Sequence, residues 1–273
     1  ICRFSINLIL INITGNQMKT FEEFLYVFNL KVLLIALVSV LATYSCGSLG
    51  LIGDMPTSLI GIAVVFPIVF SINSAFQRRD KALEQYGIIN ANLASIFFTY
   101  NSWSKNKLTK KKDTSEIKII NLKLLELIKK DLIKENADKK IKKEIYNYFS
   151  LITNKNEELR NFGITPTEIQ TMNISLKNVI VSFENLSSIS DYRTPRGLRA
   201  YSKIFLNIFP ILFSPYFAKL NQELNLLGYV VALLFSTVLV ILSNIQDNIE
   251  NPFDFRGLDD INLDSENRFK NDI

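Results

Sequence analysis

Three long uncharged stretches constrain this chain more than any other feature of its sequence. A helix needs about 20 apolar residues to cross the hydrocarbon core of a bilayer, and each stretch is long enough. The three stretches are Val32–Gly53, Met55–Gln77 and Leu224–Gln246. A fourth, Ile204–Ala218, is shorter and contains two prolines, but Lys203 and Lys219 flank it and their ammonium groups can reach the two interfaces. The sequence therefore predicts about four transmembrane helices.

The distribution of positive charge predicts how these helices are oriented. The connections Cys46–Thr57 and Lys219–Asn225 carry few charges, whereas the segment from Arg78 to Arg199 is rich in Lys and Arg. By the positive-inside rule, this basic segment lies on the cytoplasmic side, or on the equivalent side of an organelle membrane. We therefore expect two transmembrane hairpins, with both ends of the chain on the basic side.

This organisation divides the sequence into five regions. Hydrophobic residues make up 48% of the chain and charged residues 21%, which suits a protein built partly for lipid and partly for water. The predicted regions are an N-terminal segment, interfacial or removed by processing (1–31), the first transmembrane hairpin (32–77), a cytoplasmic helical region (78–202), the second transmembrane hairpin (203–246) and an acidic cytoplasmic tail (247–273).

The cytoplasmic region has the periodicity of water-soluble helices. In its first part, apolar residues recur at three- and four-residue spacing with Lys and Glu between them, at Ile117, Ile120, Leu124, Leu127 and Ile128. A second helix is predicted over Lys139–Leu159. A third is predicted over about Glu168–Leu186, with Thr165 or Thr167 as its N-cap. No alternating strand pattern is present, and backbone in lipid must bond internally, so the predicted fold class is all-α.

The available side chains argue against several classes of function. The sequence has no histidine and two cysteines, Cys2 and Cys46, so it can build neither a Cys/His metal site nor a catalytic site that uses His. We recognise no paired catalytic groups, phosphate-binding loop or metal cluster, and therefore expect neither enzymatic activity nor a cofactor. The Lys runs accompany no nucleic-acid-binding motif, so nucleic acid is not an expected partner.

One stripe of side chains on the second uncharged stretch has two interpretations. Ile62, Phe66 and Phe70 are four residues apart and share one face of a helix, and Asn73 and Arg78 follow at its cytoplasmic end. On periodicity alone, such a stripe is expected to pack against lipid or a neighbouring helix. It can also line a narrow pore, where the positive edges of aromatic rings face an anion that sheds water.

Three patches of the sequence are similar to the bestrophin-like anion channels. SLIGIAVVFPIVFSINSAFQRR (58–79) resembles the second transmembrane helix of that family, and YRTPRGLRAYSKIF (192–205) resembles the segment leading into its third span. IQDNIENPFDFRGLDD (245–260) resembles the Asn-Pro-Phe motif and the acidic residues that follow the fourth span. The order and spacing of the three patches also agree with those of the family.

The resemblance implies a homopentameric, multi-pass membrane channel with its pore on the fivefold axis. Ile62, Phe66 and Phe70 match the positions of the family's apolar neck, with Asn73 and Arg78 at the base of the pore. Chloride is the expected permeant ion, other inorganic anions are further candidates, and identical subunits and membrane lipid are the expected partners. Five copies of each neck residue would form stacked rings, an apolar constriction of the kind that gates by dewetting.

Two departures from the family pattern keep other functions open. Pro67 lies within the stripe and removes the hydrogen bond to the Ala63 carbonyl, which predicts a kink and, with the carbonyl facing the pore, a preference for cations. Where the family has Arg followed by aromatic residues, this sequence has Arg78, Arg79 and Asp80. The alternatives are therefore a cation-conducting pore of the same architecture and a non-conducting scaffold that binds partner proteins through its long helices.

Two further features of the family have candidate residues here. Animal members bind Ca²⁺ with an acidic cluster after the Asn-Pro-Phe motif, and the oxygen ligands available here are those of Asn251, Asp254, Asp259 and Asp260. Their spacing is interrupted and the longer acidic run is absent, which favours a solvated tail or one that packs against a subunit. A second, cytoplasmic constriction has the region around Ile169 as its candidate, although no motif fixes that alignment.

Overall fold

The computed structural model describes residues 26–54, 57–105, 111–133, 139–192, 196–255, 257 and 259–264. Every regular element within these ranges is helical, which confirms the predicted all-α class. The helices are α1 (Leu30–Ser48), α2 (Thr57–Lys105), α3 (Lys111–Ile133), α4 (Lys139–Glu158), α5 (Pro166–Asp191), α6 (Arg196–Leu212), α7 (Ser214–Glu223) and α8 (Leu227–Glu250), with a 3₁₀ turn at Leu159–Phe162. Residues 1–25 of the predicted N-terminal segment and 265–273 of the predicted tail lie outside the description.

The chain forms two compact units. The first consists of residues 1–75 and 194–249, and the second of residues 76–193 and 250–273, each within the described ranges. Helix α2 is 49 residues long and is continuous through Pro67, so its first part belongs to the first unit and the rest to the second.

In the first unit, α1 buries small or short side chains and exposes its large apolar ones. The buried face consists of Val32, Ala36, Ser39 and Thr43. The exposed face carries Leu30, Leu33, Leu34, Leu37 and Leu41. A helix in water would bury its leucines, whereas helices in lipid pack closely through small residues and turn their large side chains towards the hydrocarbon. The side chains of α1 are therefore distributed for a lipid surrounding.

Helix α8 has the same distribution, since Ala232 and Ser236 are buried while Leu233 and Leu234 are exposed. Within the described residues, three segments are long and apolar enough to cross a membrane: Leu30–Ser48, Arg199–Glu223 and Leu227–Glu250. They correspond to the first, third and fourth predicted spans. The second predicted span starts at Met55, outside the described part, and is helical from Thr57. The chain is an integral membrane protein.

The third span is interrupted at its prolines. Pro210 lies inside α6 and Pro215 at the start of α7, and the two helices are separated at Phe213. A proline lacks the N–H that would bond a carbonyl one turn earlier, and an unsatisfied carbonyl in lipid costs several kcal/mol. The hydroxyl of Ser39 on α1 donates to the Pro210 carbonyl at 2.9 Å in a buried environment. This bond satisfies the carbonyl of Pro210 itself, at the end of α6, and not the carbonyl one turn earlier that lacks the proline N–H.

A column of aromatic rings follows α6 and α7 and holds α8 against them. Successive ring centroids are 4.0, 5.0, 5.7 and 6.1 Å apart along the series Tyr201, Phe205, Phe209, Phe213 and Phe217. Phe235 of α8 joins the column, with its ring centroid 5.4 Å from that of Phe213. Aromatic pairs at such separations stabilise packing by about 0.5–1.5 kcal/mol each beyond the area they bury.

The second unit is a helical bundle around one apolar core. Alternating three- and four-residue spacing keeps one side of each helix facing its neighbours. Helix α2 contributes Ala82, Tyr86, Ile89, Leu93, Ile96 and Tyr100. Helix α5 contributes Ile169, Met172, Leu176, Val179, Phe183 and Leu186. The five apolar residues predicted to form the core face of α3, Ile117, Ile120, Leu124, Leu127 and Ile128, are all buried here, so that prediction is confirmed.

The start of α5 is fixed by a capping box. The hydroxyl of Thr165 accepts from the Glu168 backbone N–H at 3.4 Å, and the Glu168 carboxylate accepts from the Thr165 backbone N–H at 3.0 Å. These reciprocal bonds satisfy two donors that a helix start leaves open. Thr165, rather than Thr167, is therefore the N-cap.

The packing of the bundle predicts that two neighbouring truncations on α5 lower the free energy of unfolding by different amounts. Leu176 is 3% exposed and Ile174 is 51% exposed. We expect Leu176→Ala to lower the free energy of unfolding by about 2–5 kcal/mol, because it leaves a cavity in the core. Ile174→Ala should cost under about 1 kcal/mol. The measurement is thermal unfolding of the full chain in detergent, followed by circular dichroism. Equal loss in both variants would contradict the assignment of the core face.

Candidate functional site

The stripe predicted to form a pore neck lies on α2 in the first unit. The backbone at Ile62 is helical, and its side chain lies outside the described part of the chain. Phe66 and Phe70 are 60% and 58% exposed, and their ring centroids are 5.5 Å apart. The two rings therefore form one continuous aromatic surface on the outside of a single subunit's first unit.

The opposite face of α2 is packed inside this unit. Ile68 is 3% exposed and belongs to an apolar cluster with Leu206 of α6 and Leu239 of α8. Residues two positions apart on a helix point about 200° apart. Burial of Ile68 therefore turns both Phe66 and Phe70 away from α6 and α8.

A buried chain of hydrogen bonds lies one residue beyond Phe70. The Gln246 side-chain amide donates to the Ser71 hydroxyl at 2.7 Å, and the Ser202 hydroxyl donates to the Gln246 carbonyl oxygen at 2.6 Å. All three side chains are almost fully buried. The bonds join α2, α6 and α8 at one level of the unit, and rotation of α2 would leave buried polar groups without partners. This network therefore fixes which face of α2 is exposed.

Comparisons with solved structures decide the fold. Two single-residue variants of a bacterial bestrophin homologue from Klebsiella pneumoniae align with a TM-score of 0.74 each, at 16% and 17% sequence identity. The alignments cover 88% of this chain and 95% and 96% of those chains. The chain has the bestrophin fold. A structure described as a membrane protein aligns equally well, with a TM-score of 0.74 and 16% identity over 89% of this chain and 94% of its own.

At this level of identity the likeness establishes the arrangement of the helices. It confirms the resemblance to bestrophins that the three sequence patches indicated. No protein-family model and no curated protein matches the sequence.

In this bestrophin fold, the residues predicted at the base of the pore have different surroundings. Asn73 is exposed on α2. The Arg78 guanidinium donates to the Ile189 carbonyl at 2.5 Å, near the C-terminal end of α5. A cation is stabilised there because the last carbonyls of a helix carry partial negative charge. Arg78 therefore supports helix packing in the second unit, and its exposure to a pore stays a prediction.

The acidic tail after α8 packs against the second unit. Phe253, Ile261 and Leu263 are buried in the core of that unit. The Tyr86 hydroxyl donates to the Leu263 carbonyl at 2.7 Å, and Lys129 forms an ion pair with Asp264. The described part of the tail is thus held by apolar burial and by polar contacts, as the subunit-packing alternative requires.

The four candidate calcium ligands are not gathered into an acidic cluster. Asp260 accepts from the Gly257 backbone N–H at 3.0 Å, and the Asp259 carbonyl accepts from Arg79 at 2.6 Å. Asn251 and Asp254 are half-buried. Ca²⁺ requires about six to eight oxygen ligands, and no three acidic side chains among the described residues come close enough to share an ion. Calcium binding stays a prediction.

The side chain of Ile169 is not placed to form a second constriction. It is 1% exposed and lies in the core of the second unit with Met172 and Leu176. The Ile169 side chain is therefore a core residue of the bundle, and a second constriction in the surrounding region stays a prediction. Ile174, on the same helix, is exposed.

Several lysines of the second unit are paired with carboxylates. Glu126 accepts from Lys130 at 2.6 Å and from Lys123 at 2.9 Å, and these two bonds lower its pKa to about 2. Lys142 pairs with Asp191 at 2.8 Å and also donates to Ser187 at 2.6 Å. The net positive field of this region is therefore weaker than the count of lysines suggests.

The network of Ser71, Gln246 and Ser202 gave little signal in the sequence. Its members are 44 or more positions apart along the chain, and each lies in or beside an apolar stretch. A polar residue inside a membrane span is itself a signal, because burial in lipid requires a partner. The identity of that partner depends on helix packing.

The network predicts that removing one of its members destabilises the protein more than removing all three. We expect Gln246→Leu to lower the free energy of unfolding by about 1–3 kcal/mol, because the buried Ser71 and Ser202 hydroxyls lose their partner. Adding Ser71→Ala and Ser202→Ala should recover part of that loss. Gln222→Leu, an exposed position on α7, is the matched control. The readout is the melting temperature in detergent, and equal stability of the Gln246 and Gln222 variants would contradict the network's role.

Proposed function

We propose that this chain is the subunit of a bestrophin-like channel that conducts chloride passively through a neck formed by Ile62, Phe66 and Phe70. One observation carries the proposal: in a chain with the bestrophin fold, the face of α2 with Phe66 and Phe70 is turned away from the rest of its own unit. By the resemblance of the sequence, the three residues match the positions of the apolar neck in the bestrophin family.

The chemistry of the neck supports an anion as the permeant ion. Phe66 and Phe70 carry no charge, and aromatic rings have positive edges that attract anions. A narrow apolar ring favours weakly hydrated ions because it supplies few polar groups to replace lost water. A freed carbonyl near Pro67 would act in the opposite direction, which makes a cation-conducting pore the alternative.

The exposed face of α2 also supports assembly into a homo-oligomer. Val69 is 57% exposed, in addition to the two neck phenylalanines. Contiguous apolar surface of this kind is covered by a partner or by lipid in a membrane protein. Under the proposal, five copies of α2 surround one axis and place the phenylalanines in stacked rings.

Reconstituted channels test selectivity. In a KCl gradient across a planar bilayer, we expect the reversal potential to lie close to the chloride equilibrium potential. Phe66→Ala with Phe70→Ala should raise conductance or weaken selectivity, because truncating the rings widens the constriction. Leu234→Ala, on a spanning helix and 57% exposed, is the matched control and should leave both unchanged.

The outcomes of that experiment separate the alternatives. Reversal at the potassium equilibrium potential would replace the anion channel with a cation pore. Absence of current from both the original and the variant protein would favour a non-conducting scaffold. If Leu234→Ala changed conductance or selectivity as much as the double substitution, the assignment of Phe66 and Phe70 to the neck would be contradicted.

Particle symmetry tests the assembly separately. We expect electron microscopy of the protein in detergent to show fivefold rings, with Phe66 and Phe70 facing the central axis. A monomeric or dimeric particle, or a ring in which these side chains face the surrounding detergent, would contradict the proposed pore.

A further inference from the structure

The second unit contains a small cavity with one charged group at its edge. Its volume is about 160 Å³, and it lies between the last turns of α2 and the first turns of α5. Ile96 and Met172, 1% and 3% exposed, form an apolar floor, and the exposed Glu168 stands at the rim. The lining therefore offers an apolar floor, the hydroxyls of four Ser and Thr residues, and a carboxylate at the rim.

Two hydroxyls in the lining are arranged to accept hydrogen bonds. The Thr99 hydroxyl donates to the Ser95 carbonyl at 2.9 Å, and the Thr171 hydroxyl donates to the Thr167 carbonyl at 3.1 Å. A hydroxyl has one hydrogen, so these two have only lone pairs left for a ligand. A ligand that meets them must supply donors.

Glu168 adds negative charge to these acceptors. Its carboxylate accepts from the Thr165 hydroxyl at 2.7 Å and from the Thr165 backbone N–H at 3.0 Å. Both bonds stabilise the ionised carboxylate and lower the pKa of Glu168. Among the described residues that line the cavity there is no Lys or Arg to neutralise it. A cationic donor is therefore the complementary ligand.

The aromatic and apolar groups determine which kind of cation fits. Trp103 lines the cavity, and an indole face is the best aromatic partner of an organic cation. A metal ion such as Ca²⁺ requires about six to eight oxygen ligands, several of them carboxylates or carbonyls, and among the described lining residues Glu168 is the single carboxylate. A cavity of about 150 Å³ holds a molecule the size of benzene, so the ligand has about six heavy atoms.

We propose that this cavity binds a small primary alkylammonium ion. The ammonium group meets Glu168 and the hydroxyls of Thr99 and Thr171, and the alkyl chain lies over Ile96, Met172 and Trp103. This site is separate from the proposed neck, and binding to it does not require that the protein conduct chloride.

The sequence provides a built-in probe, because Trp103 is its single tryptophan. We expect titration of the full chain in detergent with n-butylammonium chloride to give a saturable change in Trp103 fluorescence. n-Butanol, which has the same shape without the charge, and NaCl at equal ionic strength should give no saturable change. A response to butanol equal to that of butylammonium, or a response to NaCl alone, would overturn the proposal.

Glu168→Gln tests the charge without removing the helix cap. Gln at this position can still accept from the Thr165 backbone N–H, so the capping box is retained. We expect binding of butylammonium to weaken at least tenfold. Glu144→Gln, an exposed glutamate of the same unit that is not part of the cavity, should bind as the original protein does. Unchanged affinity in Glu168→Gln would rule the site out.

A second variant keeps the test valid should Glu168→Gln lower stability. Thr171→Val keeps the side-chain shape at an exposed position of α5 and removes one acceptor. We expect it to weaken binding several-fold, with an unchanged melting temperature. If Thr171→Val bound butylammonium as tightly as the original protein, the proposed contact between the ammonium group and the Thr171 hydroxyl would be contradicted. Because the assay measures binding without current, its result is independent of the channel experiments.

Discussion

The orientation of α2 in the first unit depends on a small buried set of contacts, and the proposed neck depends on that orientation. Ile68 packs with Leu206 and Leu239, and the Gln246 amide links the hydroxyls of Ser71 and Ser202. Apolar packing alone tolerates rotation of a helix by part of a turn, since many arrangements bury similar area. A buried hydrogen-bond chain has one arrangement in which all its members are satisfied. The exposure of Phe66 and Phe70 follows from the hydrogen bonds among Ser71, Gln246 and Ser202.

The first unit also shows how a membrane helix can contain prolines without losing its packing. α6 and α7 are separated where Pro210 and Pro215 remove backbone donors. The Ser39 hydroxyl bonds to the Pro210 carbonyl, and the aromatic column continues across the interruption from Phe209 to Phe213. In water, solvent would hydrogen-bond the backbone groups left open at such an interruption. In lipid, a neighbouring helix must supply those hydrogen bonds.

In the second unit, several charged residues hold helices and loops together. Arg78 and Arg79 donate to main-chain carbonyls, and Lys142 is paired with Asp191. The tail after α8 adds Phe253 and Leu263 to the core. Arg78, Arg79 and the acidic tail therefore do not require an ion-binding site to explain their presence. Their polar groups take part in contacts that hold helices and loops in place.

The sequence by itself determined the membrane character, the all-α class and the core face of α3. Uncharged length and three- and four-residue spacing act locally, so the span that begins at Val32 and the core position of Leu124 could be assigned without knowing which helices pack together. The choice of Thr165 over Thr167 as the N-cap came from the structure. It also placed Phe66 and Phe70 on one face of α2, because helical periodicity relates residues four apart. Only the tertiary structure decided that this face is exposed, that Ile169 is buried, and that Ser71 bonds Gln246. Those facts depend on which helices pack together, and contacts between residues far apart in the chain leave no local periodicity to read.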